Sequence, residues 1–224
     1  MRPPWSWGSK ISDHLLQGGL ESVGCLLTGR LLDLGCGSKP YQDIFGARVH
    51  SWIGLDLETK VSAADVLGSA LRLPFGDGSF DSVLSTQVLE HVAQPEIVLR
   101  ETYRVLRLGG HLVLTTPQTN PLHEEPNDFF RFTCHGLRFL AERAGFTVLA
   151  VKPLGGAIAT VGQMVLWHLN WLRRTPLIGP TLCKIVNAAF AWLVLRLDRL
   201  SVIYGDGAMK DTLNWLMVAR KPGR

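Results

Sequence analysis

The sequence predicts an α/β fold, in which a mostly parallel β-sheet is covered by helices on both faces. The main observation is that short apolar segments alternate with segments of helical periodicity over residues 11–153, which is typical of parallel sheets. A second observation is that residues 154–209 break this alternation with two long apolar segments. Together these patterns predict a helical pair inserted before the last strand.

The elements of the first half follow from local patterns. Residues 11–28 have apolar positions at roughly helical spacing, and "RLLDLG", "SWIGLD" and "SFDSVLST" predict three strands. Residues 95–106 predict a helix with Pro95 in its first turn, where a missing N–H is harmless. We expect "RLGG" to end this helix and "HLVLTT" to form the next strand, which Pro117 ends.

The second half contains a capped helix, a strand and the inserted pair. We expect Thr133 to cap a helix that Gly145 ends, followed by the strand "FTVLAVKP". Two apolar helices then cover "GGAIATVGQMVLWHLNWL" and "TLCKIVNAAFAWLVLRLDRL", and "TLNWLMVARKP" predicts a last strand at the edge of the sheet. The predicted single domain therefore consists of an N-terminal helical segment (1–29), a core (30–153), an insertion (154–209) and a last strand with a basic tail (210–224).

Composition favours a globular protein in a reducing compartment. The chain has 224 residues, of which 46% are hydrophobic and 19% charged, enough for one domain with a real core. The basic residues behind the net charge of +4 are interleaved with apolar runs, which argues against nucleic-acid binding. The four cysteines form no C-x-x-C pair, so we expect neither a metal site nor a disulfide framework. The N-terminus has no apolar secretory core, which predicts a cytoplasmic protein.

The turn after the first strand, "LLDLGCGSKPY", predicts the ligand site. In an open parallel sheet, ligands bind beyond the carboxyl ends of the strands, and Gly35 and Gly37 there allow close approach to the backbone. Asp56 ends the next strand, where a carboxylate can accept both hydroxyls of a ribose. A dinucleotide needs a further glycine near its pyrophosphate, but this chain has Lys39 and Pro40. S-adenosyl-L-methionine contains a ribose but no phosphate, so a site for this cofactor does not need the further glycine.

The ordered motifs of the chain resemble those of class I S-adenosylmethionine-dependent methyltransferases of the type-11 branch. The resemblance rests on "LLDLGCGSKPY", "IGLDLE", "LRLPFGDGSFDSVLSTQVLEHV", "ETYRVLRLGGHLVLTTP" and "DFFRFTCHGLRFLAERAGF", which cover roughly residues 30–153, and on the closing "WLMVARKP". It implies a Rossmann-like sheet of seven strands and S-adenosyl-L-methionine as the cofactor.

The resemblance also implies which residues contact the cofactor. Asp33, Gly35 and Gly37 would line its methionine end, Asp56 would bind the ribose hydroxyls, and Gln87 would lie near the sulfur. The full predicted set is Asp33, Gly35, Cys36, Gly37, Asp56, Leu57, Ser69, Ala70, Leu71 and Gln87. In the family an acid–alanine pair before "LPF" holds the adenine edge, but this chain has Ser69 and Ala70, and Asp65 is the nearest acid.

Two histidines are the candidate catalytic residues. Methyl transfer from a sulfonium is an in-line displacement, so a base is needed only if the acceptor must lose a proton. His123 lies in the polar loop after Pro117, and His91 lies in "LEHV"; each is alternatively structural, as a solvated loop residue or as a cap of its own helix. Arg131 and Asp128 are the candidate substrate contacts, or alternatively a pair that braces the loop.

The two apolar segments are too short or too polar to predict membrane-spanning helices. Two interpretations remain: a peripheral membrane contact through residues 155–203, with tryptophans and arginines at the interface, or a lid or homodimer face. The first interpretation predicts a cytoplasmic protein that associates with a membrane and has a lipid-like or lipid-linked substrate.

The sequence thus predicts a methyltransferase (EC 2.1.1.-) that methylates an oxygen of a small or lipid-linked metabolite. One alternative is an NAD(P)-dependent oxidoreductase or epimerase, which the missing glycine and the absence of a Tyr-x-x-x-Lys pair disfavour, since Tyr103 is followed by Arg107. Another is a membrane-attached S-adenosylmethionine-binding protein without turnover, which the change at Ser69 keeps open.

Overall fold

A computed structural model describes residues 10–45, 48–57, 63–172, 180–201 and 210–223. Its strands are β1 (Gly29–Leu34), β2 (Val49–Asp56), β3 (Val66–Leu67), β4 (Phe80–Thr86), β5 (Leu106–Pro117), β6 (Thr147–Leu154) and β7 (Asn214–Arg220). Its helices are α1 (Lys10–Val23), α2 (Gln42–Phe45), α3 (Pro95–Val105), α4 (Cys134–Arg143), α5 (Ala157–Leu172) and α6 (Pro180–Ser201). Short 3₁₀ helices cover Gly24–Leu26 and Leu89–His91.

The seven strands form one sheet in the order β3-β2-β1-β4-β5-β7-β6. Parallel pairs join β1 to β2 and to β4, β2 to β3, and β4 to β5. In contrast, β7 runs antiparallel to β5, because Lys221 pairs with Gly109 and Gly110 whereas Trp215 donates to Gln118, further along β5. The predicted fold class is confirmed. The order reverses at β1, so the carboxyl ends of β1 and β4 border the crevice where such sheets bind ligands.

The last strand is not at the edge, and the prediction that it would be was wrong. Strand β7 lies between β5 and β6, and every residue from Asn214 to Ala219 is buried. A strand covered on both faces carries apolar side chains on both, so apparent alternation in its sequence does not indicate an exposed face. The basic residues lie at and after the end of β7.

The glycine pair before "HLVLTT" also differs from expectation, because β5 already begins at Leu106. Gly109 and Gly110 lie inside the strand, where the register with β4 shifts between Phe80 and Ser82. Gly109 has a φ of +80°, and a Cβ on Gly110 would lie 2.9 Å from the backbone oxygen of Asp81. The glycines therefore allow an irregular start of the strand rather than a break after α3.

Other local predictions are confirmed. The Thr133 hydroxyl accepts a hydrogen bond from the Gly136 N–H at 3.1 Å, which caps α4, and Gly145 follows that helix with a φ of +100°. The inserted pair, α5 and α6, lies between β6 and β7 in the chain. No helix in the described part of the chain is long and apolar enough to cross a membrane.

The chain divides into two compact units, Met1–Gly18 with Pro153–Asn214 and Gly19–Lys152 with Trp215–Arg224. The second unit contains most of the sheet and a continuous apolar core that includes Leu32, Val83, Leu99, Leu112 and Met217. In the first unit, the core is formed by α1, α5 and α6, and Asp198 accepts hydrogen bonds from the N–H groups of Gly156 and Ala159 at the start of α5. The domain boundaries predicted from the sequence stay predictions.

Candidate functional site

The glycine loop after β1 is fixed by backbone hydrogen bonds and leaves one face open. The N–H groups of Gly35 and Cys36 donate to the Leu55 oxygen at 2.8 and 3.2 Å. Gly35 has a φ of +69°, and a Cβ there would lie 2.4 Å from a methyl carbon of Val88, so only glycine fits. Gly37 has a φ of +49°, but a Cβ there would meet no atom within 4 Å. The loop is therefore closely packed at Gly35 and has room for a ligand at Gly37.

Asp56 ends β2 beside this loop and is held in place by it. One carboxylate oxygen accepts from the Gly37 N–H at 2.9 Å, and the other accepts from the Leu57 N–H at 2.7 Å. Each carboxylate oxygen has a second lone pair. The backbone thus orients the carboxylate and leaves acceptor capacity for two further donors, as a ribose would supply.

Asp33 lies at the end of β1, buried at 3% exposure. Burial raises the pKa of its carboxyl to about 7, although the Trp52 indole N–H, which donates to it at 3.1 Å, acts in the opposite direction. The sequence indicated Asp33 as a loop residue but not the partnership with Trp52, which comes from the neighbouring strand. The carboxyl of Asp33 therefore changes its charge close to neutral pH.

Lys39 and Asp65 brace the loop from the far side. The ammonium of Lys39 lies 2.6 Å from a carboxylate oxygen of Asp65, and the same oxygen accepts from the Gly54 N–H at 2.7 Å. The hydrogen bond from Lys39 is the main reason that the pKa of Asp65 is lowered. Asp65, the nearest acid for the adenine edge in the sequence, therefore uses one carboxylate oxygen on the loop.

The residues predicted near the adenine lie after β2 and β3. Ser69 is half-buried, and its hydroxyl accepts from the Leu71 N–H at 3.2 Å. Ala70 packs against the core, whereas Leu57 and Leu71 are 71% and 38% exposed. Two exposed leucines beside this loop offer apolar surface of the kind that flanks an aromatic ring.

Gln87 follows β4 in a left-handed conformation with a φ of +55°. Its backbone N–H donates to the Thr115 oxygen at 2.9 Å, and its amide donates to the Thr115 hydroxyl at 3.2 Å. These bonds to β5 turn the chain from β4 into the Leu89–His91 helix, which contains Glu90 and His91.

His91 and His123 lie in contact, which sequence reasoning did not predict. The ring centroids are 4.7 Å apart in an edge-to-face arrangement. The Nδ1 of His91 lies 2.7 Å from the Asn127 carbonyl, and that of His123 lies 3.0 Å from the Pro121 carbonyl. A carbonyl oxygen only accepts, so each Nδ1 carries a proton and each neutral ring has its lone pair on Nε2. Burial lowers the pKa of His123.

Glu90 directly precedes His91 in "LEHV" and is not among the site residues predicted from the sequence. Its side chain is fully buried, and neither carboxylate oxygen has a hydrogen-bond partner among the described residues. Burial raises the pKa of this carboxyl to about 8. Its backbone oxygen accepts from the N–H groups of Phe129 and Phe130, which ties the polar loop to this helix.

Asp128 and Arg131 pair with each other. The guanidinium donates to both carboxylate oxygens at 2.7 Å, and it also donates to the carbonyl oxygens of Asn120 and Pro121. Asp128 is almost completely buried, and the bonds from Arg131 are the main reason that its carboxyl pKa lies well below its usual range. This geometry matches the loop-bracing alternative, and a contact of either residue with a substrate stays a prediction.

Comparisons with known proteins agree with this architecture. Residues 32–114 match the family model described as a methyltransferase domain. A probable S-adenosylmethionine-dependent methyltransferase of Mycolicibacterium smegmatis is 31% identical over 133 residues, which cover 53% of this chain and 52% of that protein. The ubiquinone biosynthesis O-methyltransferase of Ruegeria pomeroyi is 34% identical over 111 residues, covering 41% and 42%.

Among solved structures, a SAM-dependent methyltransferase from Archaeoglobus fulgidus superposes with a TM-score of 0.62 at 15% identity. The match covers 95% of this chain and 97% of that one, and it shows a shared fold. The chain spans about half or less of the length of the curated relatives.

Proposed function

We propose that the chain, whose residues 32–114 match the methyltransferase-domain family model, transfers a methyl group from S-adenosyl-L-methionine to an oxygen of a small or lipid-linked metabolite. The observation that carries the proposal is the loop after β1, where Gly37 faces open space and its N–H orients the Asp56 carboxylate. Asp56 binds the ribose hydroxyls in this proposal. Asp33, Gly35, Cys36 and Gly37 line the methionine end.

The same loop argues against a dinucleotide. A pyrophosphate needs backbone donors at the start of a helix and benefits from a nearby cation. Here the described helix after the loop, α2, has four residues. The one lysine of the loop, Lys39, is 11% exposed and paired with Asp65. The loop therefore suits a cofactor that brings a ribose but no phosphate.

The adenine lies between exposed leucines in this proposal. Leu57 and Leu71 supply apolar contacts, and Ser69 with Ala70 takes the position at which the family has an acid–alanine pair. Gln87 lies beside the sulfur. Binding of the adenine then depends more on apolar contact than on a hydrogen bond from an acid.

The acceptor hydroxyl lies on the side of His91 and His123. Both rings have an Nε2 lone pair, and both belong to elements that follow strands β4 and β5, beyond their carboxyl ends. Relatives such as the Ruegeria pomeroyi enzyme are named for O-methylation in ubiquinone biosynthesis, which supports an oxygen acceptor of apolar character.

The helical pair supports the lipid-linked alternative. A groove of about 350 Å³ is lined only by apolar residues of α5 and α6, among them Val161, Val165 and Phe190. Exposed apolar side chains surround it, and Trp192 is 60% exposed with the Arg196 guanidinium over its ring. Apolar and basic side chains in this arrangement suit the surface of an anionic membrane.

Calorimetry with S-adenosyl-L-methionine and NAD tests the proposed cofactor. We expect the first to bind with one site per chain and NAD to give no heat. Binding of NAD but not of S-adenosyl-L-methionine would contradict the proposal. Binding of S-adenosyl-L-methionine without methyl transfer to any hydroxylated acceptor would indicate a binding protein without turnover.

Flotation with anionic liposomes tests the proposed membrane contact. We expect the native chain to float and Trp192→Glu to float less. The matched control is Leu149→Glu, which places the same charge at an exposed leucine of β6. Equal flotation of the native chain and both variants would contradict the membrane contact.

A further inference from the structure

Glu90, His91 and His123 form a cluster whose chemistry goes beyond cofactor binding. One potential ligand atom from each residue lies within 4.8 Å of those from the other two. We propose that these three side chains bind a divalent transition-metal ion, so that the chain has a metal site between the ends of β4 and β5. The proposal departs from the expectation of no metal, which was drawn from the cysteines alone.

The first argument is the unpartnered carboxylate of Glu90. A buried carboxyl group without hydrogen bonds is unfavourable, and buried carboxylates are normally paired or bound to a metal. Both oxygens of Glu90 lack hydrogen-bond partners among the described residues, and the Nε2 of His91 lies 3.9 Å from one of them. A cation between Glu90 and the histidines would satisfy this carboxylate.

The second argument is the orientation of the two histidine rings. A metal-bound histidine typically donates its other ring N–H to a backbone carbonyl or a carboxylate, which fixes the ring and its tautomer. His91 does this with the Asn127 carbonyl, and His123 does it with the Pro121 carbonyl, while an Asp128 carboxylate oxygen lies 3.3 Å from the same ring nitrogen. Both rings thus keep the Nε2 lone pair for a metal, and Asn120 makes only a long contact of 3.4 Å to the Nε2 of His123.

The third argument is the set of donor types. Two imidazoles and one carboxylate suit zinc and other first-row divalent ions, whereas magnesium and calcium prefer oxygen ligands alone. Bonds of about 2.1 Å require ligand atoms about 3.4 Å apart, so the site closes by roughly 1 Å around the ion. Glu124 lies nearby, with a carboxylate oxygen 3.8 Å from the Nε2 of His91, but it is not one of the three proposed ligands.

The role of the ion in catalysis rests on the proposed function, but the site itself does not. With three protein ligands, the ion keeps a position for the acceptor oxygen and lowers the pKa of that hydroxyl. The hydroxyl then loses its proton to solvent. The oxygen forms a bond to the methyl carbon, and the carbon–sulfur bond breaks with its electron pair remaining on sulfur. His91 and His123 act in this proposal as ligands rather than as a base.

Titration of the chelator-treated full chain with Co²⁺, followed by visible absorption, tests the site. We expect one Co²⁺ to bind per chain, with an absorption spectrum typical of Co²⁺ at low coordination number. We also expect Zn²⁺ to displace the bound Co²⁺. Glu90→Gln, His91→Ala and His123→Ala should each weaken Co²⁺ binding by at least about tenfold. His135→Ala removes an exposed histidine of α4 and should bind Co²⁺ like the native chain.

Several results would overturn the proposal. Absence of stoichiometric Co²⁺ binding, or equal binding by the native chain and the three variants, excludes the site. A loss confined to one of the three variants excludes the three-ligand arrangement. Glu90→Gln keeps the size of the side chain. Its circular dichroism spectrum shows whether the variant is folded, so that weaker Co²⁺ binding is not mistaken for the result of unfolding. Calorimetry with S-adenosyl-L-methionine on the same samples tests the proposed function separately from the metal site, because cofactor binding does not need the metal.

Discussion

The loop after β1 and the cluster after β4 lie at neighbouring strand ends, yet they are organised in opposite ways. The loop positions its groups through the backbone: Gly35 and Cys36 donate to Leu55, and Gly37 orients Asp56. The cluster consists of side chains from two segments, and Glu90 there has no hydrogen-bond partner among the described residues. The first region holds its groups in place without a ligand, whereas the second leaves the hydrogen-bonding capacity of a buried carboxyl group unmet.

The sharpest contrast within the loop is between its two glycines, and it gives the largest expected effect. Gly35→Ala places a Cβ 2.4 Å from Val88 at a positive φ, so we expect about 2–4 kcal/mol lower free energy of unfolding. Gly37→Ala meets no atom within 4 Å and should cost only about 1 kcal/mol for its positive φ.

Gly37→Ala should affect the affinity for the cofactor more than it affects stability. The new methyl group of Gly37→Ala would occupy cofactor space, so S-adenosyl-L-methionine should bind this variant at least about tenfold more weakly, a difference of about 1.4 kcal/mol. Denaturant unfolding and calorimetry measure the two quantities separately. Native-like affinity in a folded Gly37→Ala would show that the cofactor does not approach this position.

The polar loop offers a comparison between a buried and an exposed ion pair. In Arg131→Ala the Asp128 carboxylate, 1% exposed, loses two hydrogen bonds and its counter-charge, and we expect about 2–3 kcal/mol lower free energy of unfolding. The control is Arg138→Ala, which breaks the exposed pair of Arg138 with Glu142 and should change stability by about 0.5 kcal/mol or less. Equal effects in denaturant unfolding would contradict the bracing role of Arg131.

A smaller, pH-dependent effect is expected at Asp33. Its carboxyl has a pKa of about 7 in the folded chain against 3.8 for an unperturbed aspartate, so the folded chain binds a proton more tightly than the unfolded chain. The resulting stabilisation is complete below about pH 3.8 and disappears as the pH rises through about 7.

The comparison of the native chain with Asp33→Asn isolates this effect, because the amide does not titrate. We expect the native chain to lose stability relative to Asp33→Asn between pH 5 and pH 8, as measured by denaturant unfolding at both values. A difference between the two proteins that does not change over this range would contradict the raised pKa.

The sequence sufficed for those features that depend on local patterns. The loop glycines and the Gly145 stop follow from positive φ angles that few residues adopt, and the Thr133 cap follows from a hydroxyl that accepts a backbone hydrogen bond. Such features are visible in a single chain. The alternation of elements likewise predicted a parallel sheet with a helical insertion, which the strand order confirms.

Features that depend on distant segments were not visible. The burial of β7 between β5 and β6 depends on strand order, which an apolar run does not encode. The contact between His91 and His123 joins residues 32 positions apart in the chain. The isolation of the Glu90 carboxylate depends on the loop that covers it. No short pattern indicates such a site, because its chemistry arises only when the chain folds.

A structure with S-adenosylhomocysteine bound tests the central claim most directly. We predict that both ribose hydroxyls lie within hydrogen-bond distance of the Asp56 carboxylate, that the amino-acid end lies against Gly35 and Gly37, and that the sulfur faces Gln87. A ribose away from Asp56, or a ligand that leaves the open face of Gly37 unoccupied, would contradict the account.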